Sequence, residues 1–236
     1  YGFDWNWNRP KQEWTRLADL VRAIVQIEGD FRVRLSSIEA TEVTRELIDV
    51  MQQYPDRICP HLHVCLQSGS DAILRKMKRR WSSQLFVDRC QLVREVLDEP
   101  AFTTDVIVGF PGETTADCEA TCRISEQVGF SKIHIFPFSA RRGTPAAEMT
   151  DIVTKRVKKE RRLQLAEIER QQREGYFQRL LGRPLQILIE SAVADQPGWL
   201  QGTSARYVPV KLPGPTNWIG QLISAEAVGL ENQQVL

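Results

Sequence analysis

The 236-residue sequence lacks a run of about 18 apolar residues, so we expect no membrane-spanning helix. It also lacks an excess of charge, because 31 Lys and Arg residues are matched by 30 Asp and Glu residues. Any affinity for nucleic acid must therefore come from local patches. The chain starts at Tyr1 without a charged and then apolar leader, so we expect no signal peptide and a piece of something longer.

Cysteine motifs of the kind that hold metals are also missing, because neither CxxC nor CxxxCxxC occurs. An odd number of five cysteines in a long chain favours reduced thiols and a cytoplasmic location over a disulfide framework. Cys118 and Cys122 lie four apart on a predicted helix, where small packing residues are the simpler interpretation. The three histidines do not cluster with them, and His134 is expected to pack in mid-strand. The sequence predicts no metal site.

Short β-rich segments recur at about 30-residue intervals and alternate with helical patterns. We predict strands at 31–38, 62–66, 102–110 and 132–138, with helices at 14–27, 41–54, 70–78, 83–97 and 116–128. Ser70 and Thr114 are predicted helix caps, the second with Asp117 in a capping box. This alternation is typical of βαβ units and a parallel sheet, and therefore of an α/β fold.

The pattern changes after about residue 150. A charged stretch with a partial apolar stripe predicts a long helix, which a Gly-Arg-Pro segment at 182–184 ends. Short strand patterns then fill about 50 residues, a length that suits a small barrel. We therefore predict an α/β domain at 1–150, a linker helix at 151–181 and an all-β domain at 182–236.

Small, polar and glycine-rich residues follow each predicted strand. Because such residues gather at one edge of a parallel sheet, they predict a site for a polar ligand with a flat apolar part. No Ser/His/Asp arrangement or paired carboxylates are apparent, so we predict no catalytic residue and expect a cofactor to do the chemistry. Glu39 and Glu113 are each as consistent with binding an amine or ribose as with capping a helix or contacting an Arg.

Three long segments resemble the radical S-adenosylmethionine methylthiotransferases. They are 61–80 (HLHVCLQSGSDAILRKMKRR), 104–114 (TDVIVGFPGET) and 132–147 (KIHIFPFSARRGTPAA). A fourth segment, 198–210, resembles the TRAM domain of that family, a small RNA-binding β-barrel. The HLH, QSG and FPFSARRGTP sequences most resemble the branch that modifies threonylcarbamoyladenosine beside the tRNA anticodon (the MtaB type). The isopentenyladenosine branch (the MiaB type) is similar.

The resemblance implies a partial parallel (βα)6 barrel followed by a TRAM-like barrel. It implies methylthiolation of carbon 2 of N6-threonylcarbamoyladenosine at tRNA position 37, with the anticodon loop as partner and a sulfur donor that the sequence does not identify. The implied cofactors are S-adenosylmethionine and [4Fe–4S] clusters. Since the CxxxCxxC motif of the family is missing, the cluster ligands are expected outside this chain, which alone would be inactive.

Site residues follow from the resemblance by position. It implies S-adenosylmethionine contacts by residues at the strand ends, namely Ser37, Glu39, Gln67, Ser68, Ile107, Gly109, Phe136, Pro137 and Phe138. It implies substrate or RNA contacts by residues of the basic segments, namely Arg79, Arg80, Arg141, Arg142, Arg206 and Tyr207. Cation density in 75–80 and the Arg206-Tyr207 pair support an RNA contact independently.

Two other interpretations remain open. A non-catalytic RNA-binding protein would use the basic segments and the small β domain alone. A metabolic α/β-barrel enzyme is weaker, because no phosphate-binding glycine loop or catalytic dyad supports it. The common GxIxGxxE pattern of radical enzymes is also altered, with Asp105 in its first place and Glu113 one residue late.

Overall fold

A computed structural model describes residue 10 and residues 14–231 and 234–236. Its first part is a four-stranded sheet of β1 (Val33–Ile38), β2 (Ile58–Val64), β3 (Ala101–Val108) and β4 (Lys132–Pro137), in that spatial order. All neighbouring pairs are parallel, which confirms the α/β class. The carboxyl ends of the four strands therefore lie along one edge.

Among the residues that the structure describes, five α-helices accompany this sheet: α1 (Leu17–Val25), α2 (Arg45–Gln53), α3 (Asp71–Lys76), α4 (Ser83–Val96) and α5 (Thr115–Val128). A hydroxyl side chain caps each of α2 to α5 by accepting a hydrogen bond from a first-turn backbone N–H. The predicted capping box of Thr114 and Asp117 is confirmed. Helix α3 is shorter than predicted, because Met77 ends it and Lys78 adopts a left-handed φ of 54°.

The two faces of the sheet have different roles. Leu62, Val64, Phe102 and Val106 belong to the main hydrophobic core, into which the helices also pack. The alternating residues of β2 and β3 point the other way, as the pleat requires, and carry His, Cys, Thr and Asp side chains. This second, polar face leads up to the edge where the strands end.

Helix α6 (Lys155–Leu180) is more than a linker. Leu165 packs in the main core, and the Gln172 amide bonds to the backbone at Phe130 and Ser125. Its last turns contribute Tyr176 and Phe177 to a second core. None of the helices in the described ranges is both long and apolar enough to span a bilayer.

The second core belongs to a six-stranded sheet in the order β8-β5-β6-β7-β10-β9. The strands are β5 (Pro184–Ala192), β6 (Trp199–Ser204), β7 (Pro209–Pro213), β8 (Leu222–Glu226), β9 (Leu230–Glu231) and β10 (Gln234–Val235). The sheet is mixed, because β10 runs parallel to β7 while the other pairs are antiparallel. Barrel closure stays a prediction, since no pairing joins β8 to β9 in the described part of the chain.

Candidate functional site

The strand ends form a continuous rim. Ile38 pairs with Val64, Gln67 forms a bridge with Val106, and Val108 pairs with Pro137. The segments that follow β1, β2, β3 and β4 therefore lie side by side. This register brings the predicted residues Ser37, Ile107 and Phe136 to one edge of the sheet.

The backbone turns into the left-handed region at three of these strand ends. Ser37 has a φ of 55°, Gln67 of 67° and Gly109 of 72°. Side chains make this conformation unfavourable, so its recurrence at Ser37 and Gln67 needs support from the surroundings. Gln67 has that support, because its N–H donates to Asp105 (2.8 Å) and its carbonyl accepts from Ile107 (2.9 Å). Strained backbone concentrated at one edge is typical of a ligand site.

An aromatic ring lies uncovered at the same edge. Phe136 is 51% exposed and lies next to Ile107 in the register, whereas the neighbouring Phe138 is held in place. Lys158 approaches the Phe138 ring (5.3 Å) and donates to its carbonyl (2.8 Å), and Phe110 packs edge-on against it (5.1 Å). Phe136 can therefore stack with a flat ligand on a rigid base.

Glu113 supports the rim instead of facing a ligand. Its buried carboxylate accepts from the Gly109 N–H (2.6 Å) and from the Arg161 guanidinium of α6 (2.5 Å). Burial raises the pKa of Glu113, while the Gly109 hydrogen bond and the Arg161 charge oppose that shift. Of the alternatives for Glu113, the contact with an Arg is the one observed.

The basic residues differ in what they can reach. Arg141 and Arg142 are exposed in the turn after β4, at the rim. Arg80 is paired with Glu39 (2.5 Å), and Arg79 lies over the Trp81 ring (5.6 Å). Arg80 and Glu39 therefore neutralise each other. Arg80 is the predicted RNA contact of this pair, and Glu39 is the predicted cofactor contact.

Three predicted site residues use their side chains for contacts within the protein. Ser68 is fully buried, and its hydroxyl lies 3.4 Å from that of Thr121 on α5, so the side chain packs instead of facing a ligand. Arg206 donates to the carbonyl oxygens of Asp98 and Glu99, and Tyr207 stacks on His61. Asp98 and Glu99 precede β3, and His61 pairs with Ala101, the first residue of that strand. Arg206 and Tyr207 therefore join the two sheets at some distance from the rim.

The polar face beneath the rim carries a cluster that sequence reasoning did not single out. His63 Nε2 lies 3.4 Å from Asp105 Oδ1, and Cys65 Sγ lies 3.9 Å from Asp105 Oδ2. Thr103 Oγ1 lies 2.9 Å from both His63 Nδ1 and His61 Nε2. The sequence signals for this cluster are the two-residue alternation in β2 and the parallel register with β3. They do not reveal which side chains meet, because the residues of the two strands are some 40 positions apart.

Burial controls the charge of this cluster. It lowers the pKa of His61 to about 3 and also lowers that of His134, so both rings are neutral at pH 7. Burial, aided by the Asp105 charge, raises the pKa of Cys65 to about 11. Without a further cation, Cys65 is therefore a thiol at neutral pH.

The described residues fit S-adenosylmethionine, but they do not fit a [4Fe–4S] cluster. Exposed Phe136, half-buried Ile107 and the turned peptide groups offer the apolar surface and backbone partners that S-adenosylmethionine requires. A [4Fe–4S] cluster needs several thiolates together. No such group occurs among the described residues, where the one set of metal-ligand side chains contains the single cysteine Cys65.

Known proteins are similar to this chain over most of its length. Residues 13–124 match the family model described as the Radical SAM superfamily. A tRNA methylthiotransferase named MtaB from Thermotoga maritima is 39% identical over 220 residues, which cover 93% of this chain and 50% of the relative. Over most of its length the chain is therefore similar to members of the radical S-adenosylmethionine methylthiotransferase family. Members of this family use S-adenosylmethionine and [4Fe–4S] clusters.

Other methylthiotransferases match over a similar span. The threonylcarbamoyladenosine tRNA methylthiotransferase MtaB of Bacillus subtilis is 36% identical, over 85% of this chain and 45% of the relative. A tRNA-2-methylthio-N(6)-dimethylallyladenosine synthase of Desulfitobacterium hafniense is 33% identical, over 87% of this chain and 46% of the relative. The chain thus spans about half the length of these relatives.

A solved structure shares the fold. Coproporphyrinogen III oxidase (HemN) from Escherichia coli, a radical SAM enzyme, superposes with a TM-score of 0.52 at 15% identity. The match covers 66% of this chain and 36% of that chain. It supports the α/β fold of the first sheet and carries no argument about substrate.

Proposed function

We propose that this chain is part of a tRNA methylthiotransferase that modifies carbon 2 of N6-threonylcarbamoyladenosine at position 37, in the anticodon loop. The observation that carries the proposal is the extent of the match to the Thermotoga maritima relative, since 93% of the chain includes both sheets and α6. A cytoplasmic location is part of the proposal, in keeping with five unpaired cysteines.

S-adenosylmethionine is proposed to bind along the rim. Phe136 would stack with the adenine, Ile107 would contact it from the neighbouring strand, and the turned peptides at Ser37, Gln67 and Gly109 would meet the polar part. Pro137 and Phe138 would shape the support beneath. When bound, and given one electron by a reduced [4Fe–4S] cluster of the whole enzyme, this cofactor would supply the radical chemistry of the family, whereas the residues of this chain would bind it, orient it and exclude water.

The tRNA contact is proposed to lie at the rim, where Arg141 and Arg142 are exposed. The small β unit is less suited electrostatically than a TRAM-like RNA-binding domain would be. Residues 182–236 contain three cations against four carboxylates, and Arg183, Arg206 and Lys211 all lie in ion pairs. A TRAM-like domain, if it binds RNA here, would do so mainly through shape and stacking.

A second candidate is the modification of dimethylallyladenosine, since relatives named for that reaction match at 33% identity and above. A third is an RNA-binding role without catalysis, which the missing cysteine set among the described residues favours. The three candidates predict different changes in the modified nucleosides of tRNA when the gene is lost.

The deciding experiment is mass spectrometry of nucleosides from tRNA of a strain that lacks the whole gene. We expect the 2-methylthio form of threonylcarbamoyladenosine to disappear and its precursor to accumulate, with recovery when the complete gene is restored. Loss of the 2-methylthio dimethylallyl form would support the second candidate. An unchanged nucleoside profile would contradict both enzymatic candidates.

A further inference from the structure

We infer that His63, Cys65 and Asp105 form a binding site for a divalent transition-metal ion of the zinc class, on the polar face of the sheet below the rim. The ligand atoms are His63 Nε2, Cys65 Sγ and an Asp105 carboxylate oxygen. All three lie within 4.8 Å of one another. None of the three ligands is a proposed S-adenosylmethionine contact, although Gln67 of that set donates to the Asp105 carbonyl, and the site does not depend on the proposed reaction.

The distances suit a tetrahedral ion. With metal–ligand bonds of about 2.0 Å to nitrogen or oxygen and about 2.3 Å to sulfur, tetrahedral geometry puts the nitrogen and oxygen ligands about 3.3 Å apart and each of them about 3.5 Å from the sulfur. His63 Nε2 and Asp105 Oδ1 are 3.4 Å apart, and Cys65 Sγ and Asp105 Oδ2 are 3.9 Å apart. Small side-chain rotations therefore suffice to close the three ligands around one ion.

The backbone fixes these ligands on rigid elements. His63 lies within β2, Cys65 follows that strand directly, and Asp105 lies within the adjacent β3. His63 pairs with Thr103, two residues before Asp105, and two-residue alternation points Cys65 to the same face. Ligands on neighbouring strands are held more accurately than ligands on loops.

An outer shell orients the imidazole. His63 Nδ1 lies 2.9 Å from Thr103 Oγ1, which leaves Nε2 to face Asp105. The same hydroxyl lies 2.9 Å from His61 Nε2, and His61 in turn stacks against Tyr207. A second hydrogen bond to the other ring nitrogen is the usual support of a metal-binding histidine.

The donor set selects the type of ion. A thiolate and an imidazole favour Zn²⁺ or Co²⁺ over Mg²⁺ and Ca²⁺, which prefer oxygen ligands. A bound Cys65 thiolate and the Asp105 carboxylate would balance the two positive charges of the ion. The nearby positive charge of Arg79 favours the thiolate form of Cys65. Three protein ligands leave one position for water or a polar ligand, as in open zinc sites.

The test is a Co²⁺ titration of the full chain after treatment with a chelator. We expect one equivalent to bind with a thiolate-to-cobalt charge-transfer band, and Zn²⁺ in excess to remove that band while Mg²⁺ does not. Cys65→Ser should abolish the band, and Cys59→Ser is the matched control, since Cys59 is a buried cysteine of the same strand region. A band that persists in Cys65→Ser would overturn the site.

Two further variants separate the site from a folding defect. Asp105→Asn keeps the shape of the side chain and removes its charge, and Thr103→Val removes only the orienting hydroxyl. We expect Thr103→Val to weaken Co²⁺ binding by about 10- to 100-fold, with the charge-transfer band still present at saturation. Unchanged affinity in both variants, or no stoichiometric binding by the wild type, would contradict the proposal.

Discussion

Tyr207, in the turn between β6 and β7, stacks on His61 of β2, with ring centroids 4.8 Å apart and planes inclined by 25°. The Arg34 guanidinium lies 5.2 Å from the Tyr207 ring and donates to the carbonyl oxygens of Ser204 and Ala205. This contact joins the small β unit to the polar face of the parallel sheet, beneath the proposed metal site.

The first prediction concerns this stacking. Tyr207→Ala should lower the free energy of unfolding by about 1 to 2 kcal/mol, because an aromatic contact and a cation–π contact are lost together. Tyr207→Phe is the matched control, since it keeps the ring and the left-handed backbone position is equally unfavourable for both residues. Urea unfolding measures both variants, and equal losses would contradict a role for the ring.

Acid sensitivity should follow from His61. This ring is 2% exposed, and burial lowers its pKa to about 3. Below about pH 6.5 the ring is therefore protonated in the unfolded chain while it stays neutral in the folded chain. The free energy of unfolding is therefore unaffected by this ring above that pH, and it falls as the pH is lowered towards 3. Between pH 7 and pH 5 this one group should lower the free energy of unfolding by about 2 kcal/mol.

His61→Gln tests this assignment, because the glutamine amide can still reach Thr103 but does not titrate. The difference in unfolding free energy between pH 7 and pH 5 should shrink by about 2 kcal/mol in the variant. His134 and the carboxylates remain and account for whatever pH dependence is left. The same difference in both proteins would rule out His61 as its source.

The arginines provide a paired prediction about tRNA. Arg141→Gln and Arg142→Gln should each reduce the salt dependence of tRNA binding, lowering the slope of log K against log salt by about 1. Arg206→Gln should leave that slope unchanged and lower the free energy of unfolding by about 1 to 3 kcal/mol, because Arg206 bonds to Asp98 and Glu99. Filter binding over a salt series separates the two groups of variants.

The sequence predicted the elements better than the directions of individual side chains. Alternating hydrophobic segments and hydroxyl caps specify strands and helices locally, so the parallel sheet and the Thr114 capping box were predictable. Whether Ser68 faces the rim or packs against Thr121 depends on one left-handed residue, Gln67, which turns the chain. No local sequence pattern predicts a left-handed backbone conformation at a glutamine.

Long-range pairings were hidden for a different reason. The Asp98 partner of Arg206 and the Asp105 partner of Cys65 lie 108 and 40 residues away, and each pairing depends on how sheets and strands meet. An arginine beside a tyrosine suggests RNA by composition alone, yet here the pair forms a contact between two parts of one chain. Composition cannot distinguish the two outcomes, because both use the same cation and the same ring.

The last prediction tests the rim at Gly109. This residue has a φ of 72°, and a Cβ added there would collide with the side chain of Lys158, which holds Phe138. Gly143 is the matched control, since its φ is 81° and nothing lies within 4 Å of the added atom. Both alanine variants should lose about 1 to 2 kcal/mol of unfolding free energy from the backbone strain. Only Gly109→Ala should also displace Lys158 and weaken binding of S-adenosylmethionine in calorimetry, and equal affinities in the two variants would remove Gly109 from the proposed pocket.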